Sequence, residues 1–173
     1  MTPWASLLLA ALGCSKPQAP ELRVDVGPND KKSFAPVSAF AEYVELPGIR
    51  NELRITLASY AASCDKFVSP GPSDVLLTAT VITPPKEPPR PGRYVSGGAS
   101  GRAHAELSVR MGQRAMPMPA GGALSLSQVE LEAQGSVEGE LGFDSPGDAE
   151  HGAKSVRGRF SARVCRSNSA GRP

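Results

Sequence analysis

Between Ala103 and Met111 the chain alternates without a fault: Ala103, Ala105, Leu107, Val109 and Met111 are apolar, and His104, Glu106, Ser108 and Arg110 are polar. A period of two puts successive side chains on opposite faces of an extended strand, so this run is satisfied by a sheet with one dry face. The pattern recurs at Glu52 to Ala58, where Leu53, Ile55 and Leu57 alternate with Glu52, Arg54 and Thr56. Ala39 to Leu46 is another strand candidate, closed by the turn pair Pro47-Gly48. Val75 to Ile82 is apolar or threonine on both parities, as expected of a central strand covered on both sides. With 18 glycines, 17 prolines and an aromatic fraction of 5%, the chain is cut into short pieces, which suits an all-β domain better than a helical one.

The last third of the chain carries two further signals. Leu124, Leu126, Val129 and Leu131 change parity at Ser127-Gln128, which marks a β-bulge or a break between strands. Ser136 to Phe143 (SVEGELGF) and Ser155 to Ala162 (SVRGRFSA) form a near-repeat in which the charges invert. If the two pair as an antiparallel hairpin around a 145–154 loop, Glu138 and Glu140 lie opposite or diagonal to Arg157 and Arg159. Each such pair contributes about 0.2 to 1 kcal/mol and helps fix the register. The basic cluster of Lys154, Arg157, Arg159, Arg163 and Arg166 thus has a local explanation in cross-strand pairing, set against an anionic-ligand or lipid-headgroup site.

Two connections stand apart. Ser59 to Val68 loses alternation and is expected to form a short helical segment carrying Cys64. Pro84 to Gly101 runs from prolines to glycines, with an extended polyproline half and a short edge strand at Arg93 to Ser96; a loop of this length is a candidate surface. Together these features predict an antiparallel β-sandwich of about seven to eight strands with Greek-key-like connections over 37–167, and a disordered tail at 168–173.

At the other end, the apolar run Trp4 to Leu12 is followed by Gly13 and Cys14. This stretch resembles the signal peptide and lipobox of a bacterial lipoprotein, with Ala11-Leu12-Gly13 in the three places before the cysteine. The resemblance covers this end alone. It implies removal of residues 1–13, acylation of Cys14 and attachment to the cell envelope; Ser15, where the family's inner-membrane retention signal is Asp, favours the outer membrane. An ordinary secretory signal and a buried apolar helix are the alternatives, whereas a membrane span needs about 20 apolar residues and this run has about half that. Residues 14–36 are polar and proline-bearing, and are expected to form a lipidated flexible tether. With Cys14 assigned to lipid, Cys64 and Cys165 remain as a pair in a compartment where disulfides persist. Strict alternation sets Cys165 on the face of Arg163, so a bridge requires a twist at the strand end or a cysteine at the rim of the sheet.

Signals for chemistry are sparse. A net charge of +2 gives no electrostatic reason to expect nucleic acid as a partner. The two histidines are His104, on a polar strand face, and His151. Gly97-Gly98-Ala99-Ser100-Gly101 matches neither a nucleophile elbow nor a phosphate loop. Asp144, Asp148, Glu150 and His151 are candidate divalent-cation ligands without calcium-loop spacing, and Met111, Met116 and Met118 are candidate soft ligands for Cu(I). No cofactor is indicated. The expected function is therefore a non-catalytic, lipid-anchored envelope protein with a binding or structural role toward a protein or polysaccharide, with an envelope hydrolase using His104, or a copper or divalent-metal carrier, as the alternatives.

Overall fold

The computed structural model of the protein describes residues 22–25, 31–66, 68–97, 101–116, 121–145 and 154–165. Eleven strands follow in order: β1 (Leu22–Asp25), β2 (Lys31–Phe34), β3 (Ser38–Leu46), β4 (Arg50–Ala58), β5 (Val75–Thr83), β6 (Gly92–Val95), β7 (His104–Met111), β8 (Arg114–Met116), β9 (Gly121–Val129), β10 (Ser136–Ser145) and β11 (Lys154–Val164). All belong to one sheet. Nine lie along the path β6-β9-β10-β11-β3-β4-β5-β7-β8, and the β1–β2 hairpin branches from β11.

The expected two-sheet sandwich of seven or eight strands is thus corrected to a single eleven-stranded sheet curled into a half-barrel. Its curl brings Ser96, just past β6, into a parallel bridge with Ala105 of β7. The inner face holds one core drawn from both halves of the chain: Leu53, Ile55, Leu57, Leu77, Val81 and Val109 from β4, β5 and β7, and Leu124, Val137, Leu141 and Phe143 from β9 and β10. Both architectures need one dry face per strand, so alternation alone does not separate them.

Local expectations fare better. β3 and β4 pair in register from Ser38–Ala58 to Leu46–Arg50 around the Pro47-Gly48 turn, where Gly48 has a φ of 71° and the Ile49 N–H donates to the Leu46 carbonyl at 2.9 Å. β5 packs between β4 and β7 with its inner face sealed, while on its outer face Leu76 is buried and Thr78, Thr80 and Ile82 are half-buried. The parity change in β9 is a bulge within a continuous strand: Glu138 opposes Gln128 and Gly139 opposes Leu126, leaving Ser127 as the extra residue. β10 and β11 form the expected hairpin.

Two expectations are corrected. The tether assigned to 14–36 contains β1 and β2, and Leu22 and Val24 of β1 are 0% and 1% exposed in the core. Strands of four residues offer two alternations at most, too few to stand out from polar surroundings. No helix occurs among the described residues. Cys64 sits instead in a tight turn closed by the Ser63–Lys66 bridge. The loop that follows β4 is held by side chains, with the Ser38 hydroxyl donating to the Tyr60 carbonyl at 2.9 Å and accepting from the Ala62 N–H at 2.8 Å.

Cys64 and Cys165 form a disulfide with a Cα–Cα distance of 5.8 Å. Cys165 lies immediately beyond β11, where its N–H donates to the Ala41 carbonyl at 2.7 Å, and both it and Val164 are buried. The rim position resolves the parity conflict seen in the sequence. In the chain-entropy model a bridge across 101 residues restricts the unfolded chain by about 4 to 5 kcal/mol. Replacing both cysteines by alanine is expected to lower unfolding free energy by about that amount, and reduced wild-type protein to match the double variant in urea denaturation.

Candidate functional site

The outer face of β9, β10 and β11 bears a shallow open groove of about 550 Å³, lined by Ser125, Leu126, Ser127, Glu138, Gly139, Glu140, Arg159, Phe160 and Ser161. Two local features mark the sheet at this point. At Ser127 the bulge adds a residue to β9 and breaks the regular pleat. Across from it, Gly139 opposes Phe160, and a methyl group at Gly139 would overlap the Ser125 carbonyl and come within 3.0 Å of Phe160 Cζ. Only a residue without a side chain lets the β9 backbone and the Phe160 ring close in this way.

The polar lining carries both signs. Glu140 lies directly opposite Arg159, and Glu138 opposite Ser161, whose hydroxyl donates to Glu138 Oε1 at 3.3 Å. Among the described residues neither Glu138 nor Glu140 forms the ion pair with Arg157 or Arg159 expected from the inverted repeat; Arg157 Nη2 instead meets Asp144 Oδ2, just beyond the repeat, at 2.9 Å. Glu140, Arg159 and Arg163 make no ion pair or side-chain hydrogen bond with the described residues. The register accounts for Glu138 and Arg163, set against Ser161 and Ser136, but Glu140 and Arg159 are directly opposed and still do not pair. It also sets Arg157 against Gly142, so only one Glu–Arg couple is directly opposed. Sequence reasoning found these charges but not the concavity, which lies where the β9 bulge meets β10 and β11.

A second polar cluster proves structural. Glu52, on the outer face of β4, is 3% exposed and sits between Arg50 and Arg54, which approach its two carboxylate oxygens at 2.7 and 2.5 Å. Burial pushes this carboxyl up, but hydrogen bonds and charge from Arg54 and then Arg50 outweigh it and hold the group below its ordinary value. A perturbed, buried carboxylate is often a sign of function. Here both oxygens are occupied by neighbours two residues away on the same strand, and nothing is left to act on a ligand.

The remaining sequence candidates separate. His104 Nδ1 lies 2.9 Å from the Arg102 carbonyl oxygen and its Nε2 lies 3.6 Å from Glu106, a local arrangement on β7. Met111 packs against the core. Met118, Asp148, Glu150, His151 and Arg166 fall outside the described residues, as do Cys14, Ser15 and the whole signal segment, and nothing is described of the Met116 and Lys154 side chains. Among the described residues no group of three His, Cys, Asp or Glu side chains is placed to hold a metal ion. The proline-rich candidate loop is pinned to the barrel: Asn51 Nδ2 donates to the Pro84 and Glu87 carbonyls at 3.0 and 3.2 Å, and the Tyr94 hydroxyl donates to the Arg90 carbonyl at 2.8 Å. No family of known proteins matches this chain, and no curated protein or solved structure is similar to it.

Two substitutions test these assignments. Gly139→Ala is expected to cost about 1–3 kcal/mol by overpacking, whereas Gly142→Ala, whose methyl meets only the Ala123 carbonyl oxygen at 3.9 Å, stays within about 0.5 kcal/mol in thermal or urea unfolding. For Glu52, a depressed folded-state pKa means stability that is fully present above the unfolded value of 4.5 and is lost as pH falls through the folded one. Glu52→Gln is therefore expected to lose about 1–2 kcal/mol at neutral pH, discounted for two half-exposed arginines, and to show a flatter acid limb in unfolding measured from pH 7 downward.

Proposed function

We propose that this chain is a non-catalytic, lipid-anchored module of the bacterial cell envelope, which binds an envelope partner through the outer face of β9, β10 and β11. The observation that carries the reading is the Cys64–Cys165 disulfide, which joins residues 101 apart and has one cysteine buried. Such bridges persist in envelope compartments and are rare where thiols are kept reduced. The bridge agrees with the apolar run and Gly13-Cys14 at the start of the chain, an element read independently of it.

Cys14 then carries acyl chains on sulfur and on the new amino terminus, and more than one chain makes attachment lasting. The strand β1 begins at Leu22, so the tether is short and the folded domain extends from residue 22 instead of 37. A binding role is supported by the groove, where both signs of charge and three serine hydroxyls stand on a rigid sheet. The local bonding of His104 favours binding over hydrolysis.

Intact mass of protein extracted from bacterial membranes tests this reading. The expected species lacks residues 1–13, carries added acyl mass and shows no alkylatable thiol until it is reduced. Cys14→Ala is expected to release the protein into the soluble fraction. A chain that keeps Met1 to Gly13 and presents three free thiols would overturn the proposal.

A further inference from the structure

Resting on that anchored reading, we infer that the partner of the groove is the bilayer itself: the outer face of β9–β11 lies against the membrane that holds Cys14, and the groove takes a zwitterionic phospholipid headgroup of the phosphoethanolamine type. The first support is reach. Leu22 pairs with Gly158 of β11 and lies eight residues after Cys14. Fully extended, that span covers at most about 29 Å. A domain of about 140 residues has a radius of gyration near 14 Å and hence a diameter of about 37 Å. The tether is shorter than the domain is wide, so the side of the fold where the tether leaves is held at the bilayer.

That exit is one residue from the groove. Arg159 follows Gly158 on β11, and Arg23, Arg157, Arg159 and Arg163 all project from the outer face of β1 and β11 as exposed side chains. Arg157 is engaged by Asp144, while Arg23, Arg159 and Arg163 have no ion-pair partner among the described residues. On the next strand Glu138 and Glu140 stand on the same face. A purely anionic surface would attract the first set and repel the second. A headgroup with a phosphate and a primary ammonium satisfies both, with the phosphate at Arg159 and the serine hydroxyls and the ammonium at Glu138 and Glu140. Arginine suits the phosphate because its planar donors can bind two oxygens at once. Glutamates suit the primary ammonium, whose three N–H donors a trimethylated headgroup lacks.

Tryptophan fluorescence provides the test, because Trp4 is the chain's one tryptophan and leaves with the signal segment. In the processed, acylated protein, Gly142→Trp places a reporter on the outer face of β10 beside the groove, and Ser108→Trp places one on the outer face of β7. Both variants are reconstituted into vesicles rich in phosphatidylethanolamine that contain a nitroxide-headgroup quencher lipid. The expected result is strong quenching of the Gly142→Trp reporter and little of the Ser108→Trp reporter. Exchanging phosphatidylethanolamine for phosphatidylcholine, or adding Glu138→Gln with Glu140→Gln, or adding Arg159→Gln, is expected to cut the first signal to the level of the second. Equal quenching at both positions in acylated, vesicle-bound protein overturns the orientation alone. Quenching at Gly142→Trp that ignores both lipid exchange and the groove substitutions overturns the headgroup assignment. A chain shown by mass to be unacylated, and failing to float with the vesicles, overturns the anchor and this inference together.

Discussion

Everything in this fold depends on a short seam where the last strand meets the first half of the sheet. β11 pairs with β10 along its whole length on one edge, but on the other it is shared, by β1 over Ser155 to Gly158 and by β3 over only Arg163 and Val164. The β3 contact is parallel, and it is what joins the meander β3-β4-β5-β7 to the meander β9-β10-β11. Two residue pairs are little to carry such a junction. The Cys165 N–H extends it by one bond to Ala41, and the disulfide to Cys64 locks it covalently at that point. The bridge is thus placed where pairing between neighbouring strands is thinnest, between strands far apart in the sequence. Loop closure over so long a span is costly before any contact rewards it, which assigns the seam to the late part of folding.

How much of this was legible in the sequence follows from the range of each interaction. Alternation in β4 and β7, the turn at Pro47-Gly48, the bulge at Ser127 and the hairpin of the inverted repeat are decided by neighbours in sequence or across one turn, and each leaves a pattern. β1, β2 and β8 are three or four residues long and leave almost none. The loop around Cys64 lost its alternation because its backbone is satisfied by Ser38 and by its own tight turn, not because it winds into a helix. The curl of the sheet was illegible for another reason. It is set by Arg163 finding Phe40, 123 residues away, and by the single bridge of Ser96 to Ala105, and no spacing in the chain encodes a pairing so distant or one so brief.

The candidate site shows the same division. The charges on β10 and β11 were visible as an inverted repeat, and cross-strand pairing was the simplest account of them. Register decides what becomes of it. The hairpin sets Glu138 against Ser161 and leaves Glu140 and Arg159 as the one directly opposed couple, which face each other beside the groove without an ion pair. Beneath the groove Gly139 takes an inward position on β10, where its missing side chain admits both the Ser125 carbonyl and the Phe160 ring. A glycine in a strand usually weakens it, since it brings no side chain to pack and has more backbone freedom to lose. Here the neighbouring Phe160 supplies the missing surface and is itself 3% exposed, so the strand keeps its dry face.

The position of β1 gives the anchored reading a mechanical consequence. A tether from Cys14 enters at Leu22, and β1 is held by four residues of β11 on one edge and four of β2 on the other. Its hold on the core rests on Leu22 and Val24, each worth about 1.5–3 kcal/mol when fully buried. The seam at β3 does not pass through β1, and the disulfide does not touch it. Detaching β1 and β2 would therefore expose Leu22, Val24 and the half-buried Phe34 while leaving the nine-stranded path and its bridge intact, and on the proposed anchoring would lengthen the tether from Cys14 to the start of β3 at Ser38. Local openings of this kind are cheaper than global unfolding, and they concentrate in short elements with few buried contacts. On the proposed anchoring, the β1–β2 hairpin is in this sense also a reserve of tether, and it would set how closely the groove on β9–β11 is held to the bilayer.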